Sequence, residues 1–200
     1  LDQIAQAAEI PLIIDGAYGL PFPGILFNDA KLHWNDTTIL VLSLSKLGLP
    51  GVRTGLIVSR EEIVQAYSTA HTVVNLACGN LGPTLARELF NTGEILTLSN
   101  RLIKPFYQQR AQQAVDWFRA ELKGLPYRIH SPEGAIFLWL WFAGLPISSQ
   151  ALYERLKKRG VLIVPGHNFF PGMNSEWRHQ QECIRVSYAG DGNVVRQGIE

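Results

Sequence analysis

Residues 43–55 read Ser43-Leu44-Ser45-Lys46-Leu47-Gly48-Leu49-Pro50-Gly51-Val52-Arg53-Thr54-Gly55 and directly follow the aliphatic run Thr38–Leu42. A short aliphatic and β-branched run that ends at turn-forming residues is typical of a buried strand. The strand would end where an amine, two hydroxyls, a glycine-rich turn and a guanidinium follow. A strand that brings these groups to one place can build a covalent cofactor site.

The chemistry of these side chains indicates pyridoxal 5'-phosphate (PLP). The Lys46 amine can form an imine with an aldehyde. Ser43, Ser45 and Arg53 can hold a dianionic phosphate through hydrogen bonds and charge. A lone lysine at a strand end is more often simply exposed to solvent, so this interpretation depends on a second signal elsewhere in the chain.

The second signal lies upstream, in the segment Pro11–Tyr18. A short apolar run there ends in Asp15, where a buried parallel strand would open into a loop. Ligands of open α/β sheets bind beyond the carboxyl ends of the strands, so we expect Asp15, Tyr18 and Lys46 to converge. An aspartate can keep a pyridine nitrogen protonated, and a tyrosine hydroxyl can hydrogen-bond the phenolic oxygen of the same ring.

Three segments, in this order, resemble the signatures of the class I and II aminotransferases of PLP fold type I. They are Asp15–Tyr18, Ser43–Gly55 and Cys183–Ala189. The resemblance runs from about Leu1 to the last residue. Within the family, Pro165–Gly172 and Trp177–His179 are most similar to the subgroup that acts on valine and alanine.

The resemblance implies an α/β fold, that of PLP-dependent transferases of fold type I. Residues 1–101 would form part of the large PLP-binding domain with its parallel-type sheet, and residues 102–200 an α+β C-terminal small domain. The implied activity moves an amino group between valine or alanine and a 2-oxo acid, pyruvate or 3-methyl-2-oxobutanoate. Small amino acids and 2-oxo acids would be the substrates, and the full-length protein would be a homodimer.

Roles for individual residues follow from the same resemblance. Lys46 becomes the Schiff-base lysine and the acid/base, Asp15 the partner of the pyridine nitrogen, and Tyr18 the contact to the ring oxygen. The phosphate would be bound by Ser43 and Arg53, with Ser45 a weaker candidate.

Two further points concern the arginines. Arg185 would clamp the substrate α-carboxylate in a bidentate pair. Arg53 lies seven residues after Lys46, whereas many members of the wider family have eight, so the turn is shorter here.

Two other functions use the same cofactor residues and stay open. One is β-elimination by a PLP-dependent C–S lyase, which would release ammonia and pyruvate from cysteine conjugates. The other is a non-catalytic PLP-binding sensor domain joined to a DNA-binding module, in which Lys46 would bind the cofactor without turnover.

The composition is that of a globular chain with a substantial core. Of its 200 residues 46% are hydrophobic and 18% charged, so it does not resemble a disordered segment. The 18 basic and 17 acidic residues nearly cancel, and nothing in that balance indicates nucleic acid or membrane as a partner. The histidines are scattered without metal-ligand spacing, so no metal site is predicted. Cys78 and Cys183 predict buried free thiols in a reducing cytoplasm.

The residues that open the chain predict a helix already under way, because Leu1–Ala8 has helical spacing without an N-cap. The resemblance also implies a glycine-rich phosphate-binding turn, a ring-stacking aromatic and an asparagine, none of which precedes Leu1. We therefore expect this sequence to be roughly the second half of a subunit.

Patterns along the rest of the chain predict its elements. Strands are expected at Pro11–Asp15, Thr38–Leu44 and Gly55–Ser59 in a mainly parallel sheet, and at Tyr127–His130, Ala135–Phe142, Val161–Val164 and Cys183–Tyr188 in a second region. Trp139 and Trp141 would pack on one strand face. Asn75–Pro83 is interpreted as an interhelical connection or a close backbone approach, and His167 and Asn168 as turn residues rather than ligand contacts.

Overall fold

The chain folds into two units, each with a sheet of its own, in the computed structural model, which describes residues 1–173 and 177–200. The units are Leu1–Pro105 and Phe106–Glu200. The sequence placed the boundary between the two domains after residue 101, a few residues before this division.

The first unit contains three strands and the helices that follow them. Its elements are α1 Asp2–Ala7, β1 Leu12–Asp15, β2 Thr38–Ser43, β3 Gly55–Val58, α2 Glu61–Asn75, α3 Leu81–Asn91 and α4 Glu94–Leu98. Helix α5, Lys104–Glu121, begins at the end of this unit and continues into the second. The helix expected at the start of the chain is therefore present.

The sheet of the first unit has the order β1-β2-β3. Strand β1 runs parallel to β2, with Asp15 beside Val41, whereas β3 is antiparallel, with Ser43 beside Gly55. The prediction of a mainly parallel sheet is thus confirmed for β1 and β2 and wrong for β3. The physical reason is the connection after β2, which consists of two short 3-10 turns. A parallel neighbour would require a longer crossover.

The core of the first unit lies against one face of this sheet. Leu40 and Leu42 of β2 are buried, and so are Leu44 and Leu47 in the turn that follows. Burying one such leucine contributes roughly 1.5–3 kcal/mol. The turn after β2 is therefore fixed to the core at two points, one on each side of Lys46.

The second unit contains a four-stranded antiparallel sheet of order β4-β5-β7-β6. Its elements after α5 are β4 Tyr127–Ile129, β5 Phe137–Phe142, α6 Ser149–Lys157, β6 Val164–Pro165, α7 His179–Glu182, β7 Cys183–Ser187 and α8 Gly192–Ile199. Leu138, Leu140 and Ile184 are buried on one face of the sheet.

The strand predicted at Val161–Val164 is wrong for its first three residues. Gly160 adopts a left-handed φ of 80°, and the Val161 amide donates to the Leu156 carbonyl at 3.0 Å. These contacts complete the end of α6. Only Val164 and Pro165 remain to pair with β7.

Helix caps agree with the sequence patterns. The Ser148 hydroxyl accepts a hydrogen bond from the Ala151 amide at 3.1 Å at the start of α6. Asp191 accepts from the amides of Asn193 and Val194 at the start of α8. In the part of the chain that the structure describes, no helix combines the length and the apolar character needed to cross a membrane.

The two cysteines differ in burial. Cys183 is buried in β7, as predicted, but Cys78 is exposed, so the prediction was wrong for Cys78. Cys78 lies in the connection between α2 and α3, and connecting segments usually run over the protein surface.

Candidate functional site

Lys46 lies in the 3-10 turn Ser45–Leu47 that directly follows β2. Gly48 ends this turn with a left-handed φ of 109°, a conformation that glycine adopts without steric cost. The Lys46 side chain is half-buried, and its Nζ lies 5.5 Å from the centre of the Tyr18 ring. Within residues 1–173 and 177–200, no carboxylate lies at ion-pair distance from the amine.

Asp15 is the last residue of β1, and its position depends on the glycine that follows. The Gly16 amide donates to the Val41 carbonyl at 2.7 Å. A Cβ on Gly16 would lie 2.8 Å from Leu42 Cδ2 and 2.9 Å from the Val41 oxygen. Only glycine allows β1 to turn this close to β2. The Asp15 carboxylate accepts a hydrogen bond from the Ala17 amide at 3.0 Å.

Asp15 and Tyr18 line a cavity of about 410 Å³ at this end of the strands. Its volume falls within the usual range of small-molecule sites. Lys31 and His33 also line it. Sequence reasoning missed these two residues, because they lie in an irregular segment that has no periodic pattern and no motif.

Ser43, Ser45 and Arg53 lie close together beside Lys46. Arg53 Nη1 makes long contacts to Ser45 Oγ at 3.4 Å and to the Pro50 carbonyl at 3.5 Å. The Ser45 amide donates to Ser43 Oγ at 3.1 Å. Arg53 itself has a left-handed backbone, φ 48° and ψ 44°. The shorter seven-residue spacing therefore still returns the guanidinium to Ser45.

A close backbone approach supports the turn that carries Arg53. Gly82, in the first turn of α3, faces Thr54, and a Cβ on Gly82 would overlap with the Thr54 side chain. One of the two interpretations of Asn75–Pro83, a close approach of the backbone, thus applies at Gly82. The partner of that approach could not be identified from the sequence.

Arg185 lies in the second unit, in the middle of β7. Its guanidinium carbon is 4.0 Å from the centre of the Phe137 ring and 4.6 Å from that of Phe169. Its Nε is buried and has no hydrogen-bond partner among the described residues. Nor does any carboxylate in that part of the chain form an ion pair with it. The cation is thus contacted by aromatic rings alone.

The same face of the sheet carries a cluster of aromatic side chains. Trp139 and Trp141 lie on it, because they pair with Arg185 and Cys183 of β7. The Trp139 ring contacts Phe169 at 5.3 Å between ring centres. The interpretation of the two tryptophans as packing residues of one face agrees with these contacts.

The turn residues after β6 behave differently from one another. Asn168 donates to the Pro165 carbonyl at 3.3 Å, as a turn residue would. The Nδ1 atom of His167 is buried and has no hydrogen-bond partner within the described ranges. The turn interpretation accounts for Asn168 and leaves this His167 nitrogen unexplained.

Glu182 is a buried carboxylate at the end of the aromatic cluster. It accepts hydrogen bonds from Trp141 Nε1 at 2.8 Å and from the Gly144 amide at 3.1 Å, and it pairs with Arg178 Nε at 2.8 Å. The Trp141 hydrogen bond is the main cause that holds the pKa of Glu182 below its ordinary value, against the effect of burial. Beside it, burial raises the pKa of the Cys183 thiol to about 11.

Comparison with known proteins gives consistent matches over the whole chain. The family model Aminotransferase class I and II matches residues 1–200. The chain is 48% identical to valine–pyruvate aminotransferase of Escherichia coli K12 over 200 residues, which are 100% of this chain and 48% of that protein.

Two crystal structures are also similar. A candidate amino-acid aminotransferase from Psychrobacter arcticum 273-4 matches with a TM-score of 0.95 and 51% identity, covering 99% of this chain and 46% of that one. Valine–pyruvate aminotransferase of Salmonella typhimurium LT2 matches with a TM-score of 0.92 and 47% identity, covering 99% and 51%.

The chain therefore spans about half the length of the relatives it matches. Its two mixed α/β units have the fold of PLP-dependent transferases of fold type I. Both the matched family model and the identity to these relatives point to one conclusion: the chain belongs to the class I and II aminotransferase family.

Proposed function

We propose that the full-length protein moves an amino group between valine or alanine and a 2-oxo acid, pyruvate or 3-methyl-2-oxobutanoate. The observation that carries this proposal is the position of Lys46 at the carboxyl end of β2, with its amine over the Tyr18 ring and β1 ending in Asp15 alongside. The 48% identity to a valine–pyruvate aminotransferase supports the substrate class.

The residues at this end of the strands fit PLP. A phosphate dianion needs cationic and hydroxyl donors, which Arg53 and Ser45 supply side by side. Among the described residues no acid pairs with Arg53, so no carboxylate would compete with the phosphate. Asp15 supplies an acid to the lining of an adjoining cavity of about 410 Å³.

Lys46, Asp15 and Tyr18 would divide the work at the cofactor ring. When bound, PLP supplies an electron sink for negative charge at the substrate Cα. Lys46 would hold the cofactor covalently and move the proton at that carbon. Asp15 would keep the pyridine nitrogen protonated, and the Tyr18 hydroxyl would bind the ring oxygen.

The anionic groups would be bound by hydroxyls and arginines. Ser43, Ser45 and Arg53 would hold the cofactor phosphate, and Arg185 would bind the substrate α-carboxylate as a bidentate pair. An unpaired guanidinium suits that role, because no ion pair within the described residues has to be broken when the substrate binds.

Borohydride trapping tests the cofactor assignment. The full-length protein would be mixed with PLP, its absorbance recorded, and the adduct reduced and mapped by peptide mass spectrometry. We expect a pH-sensitive band and label confined to Lys46, with the exposed Lys123 as the internal control. An unlabelled Lys46 would overturn the proposal.

Product analysis tests the reaction and the substrate. Valine and pyruvate should give 3-methyl-2-oxobutanoate and alanine, and valine should be a much better donor than aspartate. Comparable transfer from the two would contradict the substrate class. Release of ammonia and pyruvate from cysteine conjugates, without transfer, would instead identify a C–S lyase.

We also propose that the full-length protein is a cytoplasmic homodimer. The family resemblance supports the dimer, and the free thiols of Cys78 and Cys183 are typical of reducing compartments. Sedimentation equilibrium would measure the mass in solution, and a monomer at micromolar concentration would contradict the dimer.

A further inference from the structure

The rings around Arg185 come from two different parts of the second unit. Phe137 lies on β5, where it pairs with Ser187, two residues from Arg185 on the same face of the sheet. Phe169 ends the turn Gly166–Phe169 that follows β6. The guanidinium carbon is within 5 Å of both ring centres, at 4.0 Å and 4.6 Å.

An aromatic ring stabilises a cation without using its hydrogen-bond donors. The face of the ring carries negative potential and attracts a guanidinium within about 6 Å of its centre. The N–H donors of arginine point outward in the guanidinium plane. Contacts of Phe137 and Phe169 with Arg185 therefore favour the charged group while leaving the donors that a carboxylate needs.

A protein carboxylate would have had the opposite effect. It would stabilise Arg185 but occupy the same donors and repel an anionic ligand. Among the described residues no acid pairs with Arg185, and its buried Nε lacks a partner. A partly desolvated cation without a counter-ion gains both charge and hydrogen bonds when a carboxylate arrives.

We propose that Phe137 and Phe169 are positioning residues, which hold the Arg185 guanidinium oriented and unpaired for the carboxylate of the substrate. This inference rests on the proposed role of Arg185 in binding that carboxylate. The two rings act through Arg185 and do not touch the reacting atoms.

The neighbouring Phe170 provides a matched control. It belongs to the same aromatic cluster, with ring centres 6.0 Å from Trp139 and 5.2 Å from Trp177, but no ring contact joins it to Arg185. Phe169 is 38% exposed, so its replacement removes little buried surface. Phe169→Leu and Phe170→Leu therefore make the same chemical change with and without loss of the contact to Arg185.

The test measures carboxylate binding and turnover in the full-length protein loaded with PLP. Calorimetric titration with 3-methylbutanoate, which has neither an amino nor an oxo group, reports binding alone. We expect Phe169→Leu and Phe137→Leu to weaken its binding about 2- to 30-fold. KM for valine should rise by a similar factor, and kcat should change less than about twofold.

Controls separate positioning from general damage to the fold. Phe169→Tyr keeps the ring and should bind within about twofold of the unsubstituted protein, and Phe170→Leu should do the same. Thermal unfolding checks that each variant is folded. If Phe169→Leu binds normally, or if Phe170→Leu weakens binding equally, the proposal is overturned.

Arg185→Gln distinguishes this inference from the function on which it rests. If that variant keeps the carboxylate affinity, the substrate role of Arg185 is wrong and the positioning role falls with it. If Arg185→Gln loses binding but Phe169→Leu and Phe137→Leu keep it, only the role of the two rings is wrong. Loss of binding in all three variants supports both.

Discussion

The turn that carries Lys46 and the strand face that carries Arg185 hold their cations in different ways. Lys46 is positioned by the backbone, through a 3-10 turn between two buried leucines. Arg185 is positioned by side chains, on a paired strand with two aromatic rings against its guanidinium.

The difference matches what each group would have to do. An amine that holds a cofactor and moves a proton must change partners during one turnover, so its side chain needs few fixed contacts. A guanidinium that recognises a carboxylate must keep one orientation, because a bidentate pair is directional. The first region therefore depends on main-chain geometry and the second on packing, and each dependence can be tested.

Replacement of Lys46 should have the largest effect. Lys46→Ala removes both the covalent attachment and the group that moves the Cα proton, so kcat should fall by at least about a thousandfold. Steady-state transamination assays and the absorbance of the bound cofactor measure the loss. Lys123→Ala removes an exposed lysine and should keep the activity of the unsubstituted protein. A Lys46→Ala variant with substantial turnover would contradict the proposed function.

A methyl group at Gly16 tests the backbone positioning of the first region. Gly16→Ala places a Cβ 2.8 Å from Leu42 Cδ2 and 2.9 Å from the Val41 oxygen. Relief of that overlap should lower the free energy of unfolding by about 1–3 kcal/mol and displace Asp15. Denaturant unfolding measures the loss.

Gly51→Ala is the matched control, since its added Cβ meets no atom within 4 Å. Equal destabilisation by the two substitutions would show that the close contact between β1 and β2 is not what matters at Gly16.

Glu182→Gln tests the side-chain network of the second region. The amide loses the charge that strengthens the bonds from Trp141 and Arg178, which should lower the free energy of unfolding by about 1–3 kcal/mol at neutral pH. The pKa of Glu182 is lowered in the folded protein. Its contribution is therefore full above the unfolded pKa and is lost as pH falls through the folded pKa.

The pH dependence gives this prediction its control. The stability difference between the two proteins should shrink in acid, as measured by thermal unfolding from pH 7 to pH 3. Glu154→Gln alters an exposed carboxylate that accepts a bond from Gln150, and it should change stability by less than about 0.5 kcal/mol. A Glu182→Gln difference that is independent of pH would contradict the assignment.

Thiol labelling compares the two units directly, with the smallest effect on the protein. Cys183 is buried and its pKa is raised to about 11, so it stays protonated and unreactive at pH 8. Cys78 is exposed and should react with a disulfide reagent in the native protein. Peptide mapping should find label on Cys78 alone, and on Cys183 only after unfolding. Equal labelling rates would contradict the difference in burial.

The sequence predicted the local elements of the candidate site well. Strands β1 and β2 end close to the predicted residues, and Ser148 caps its helix. These features depend on contacts between near neighbours, which residue patterns record. The antiparallel direction of β3 was missed, because strand direction depends on how the connecting chain is folded and not on strand composition.

Other features depend on contacts between distant residues, and no pattern indicated them. Gly82 lies against Thr54, and Phe169 lies over Arg185. Lys31 and His33 reach the cavity beside Asp15 from an irregular segment. The identity of each residue was visible in the sequence, but its partner was not.

The sequence by itself determined which residue types are available to a cofactor and in what order they follow the strands. Lys46, Asp15 and Arg53 could be singled out from their own neighbours in the chain. Only the tertiary structure decided that the Lys46 amine lies over Tyr18 and that Arg185 is held by aromatic rings without a described acid. The physical reason is that short-range patterns fix secondary structure, whereas side-chain partners are chosen when distant segments pack together.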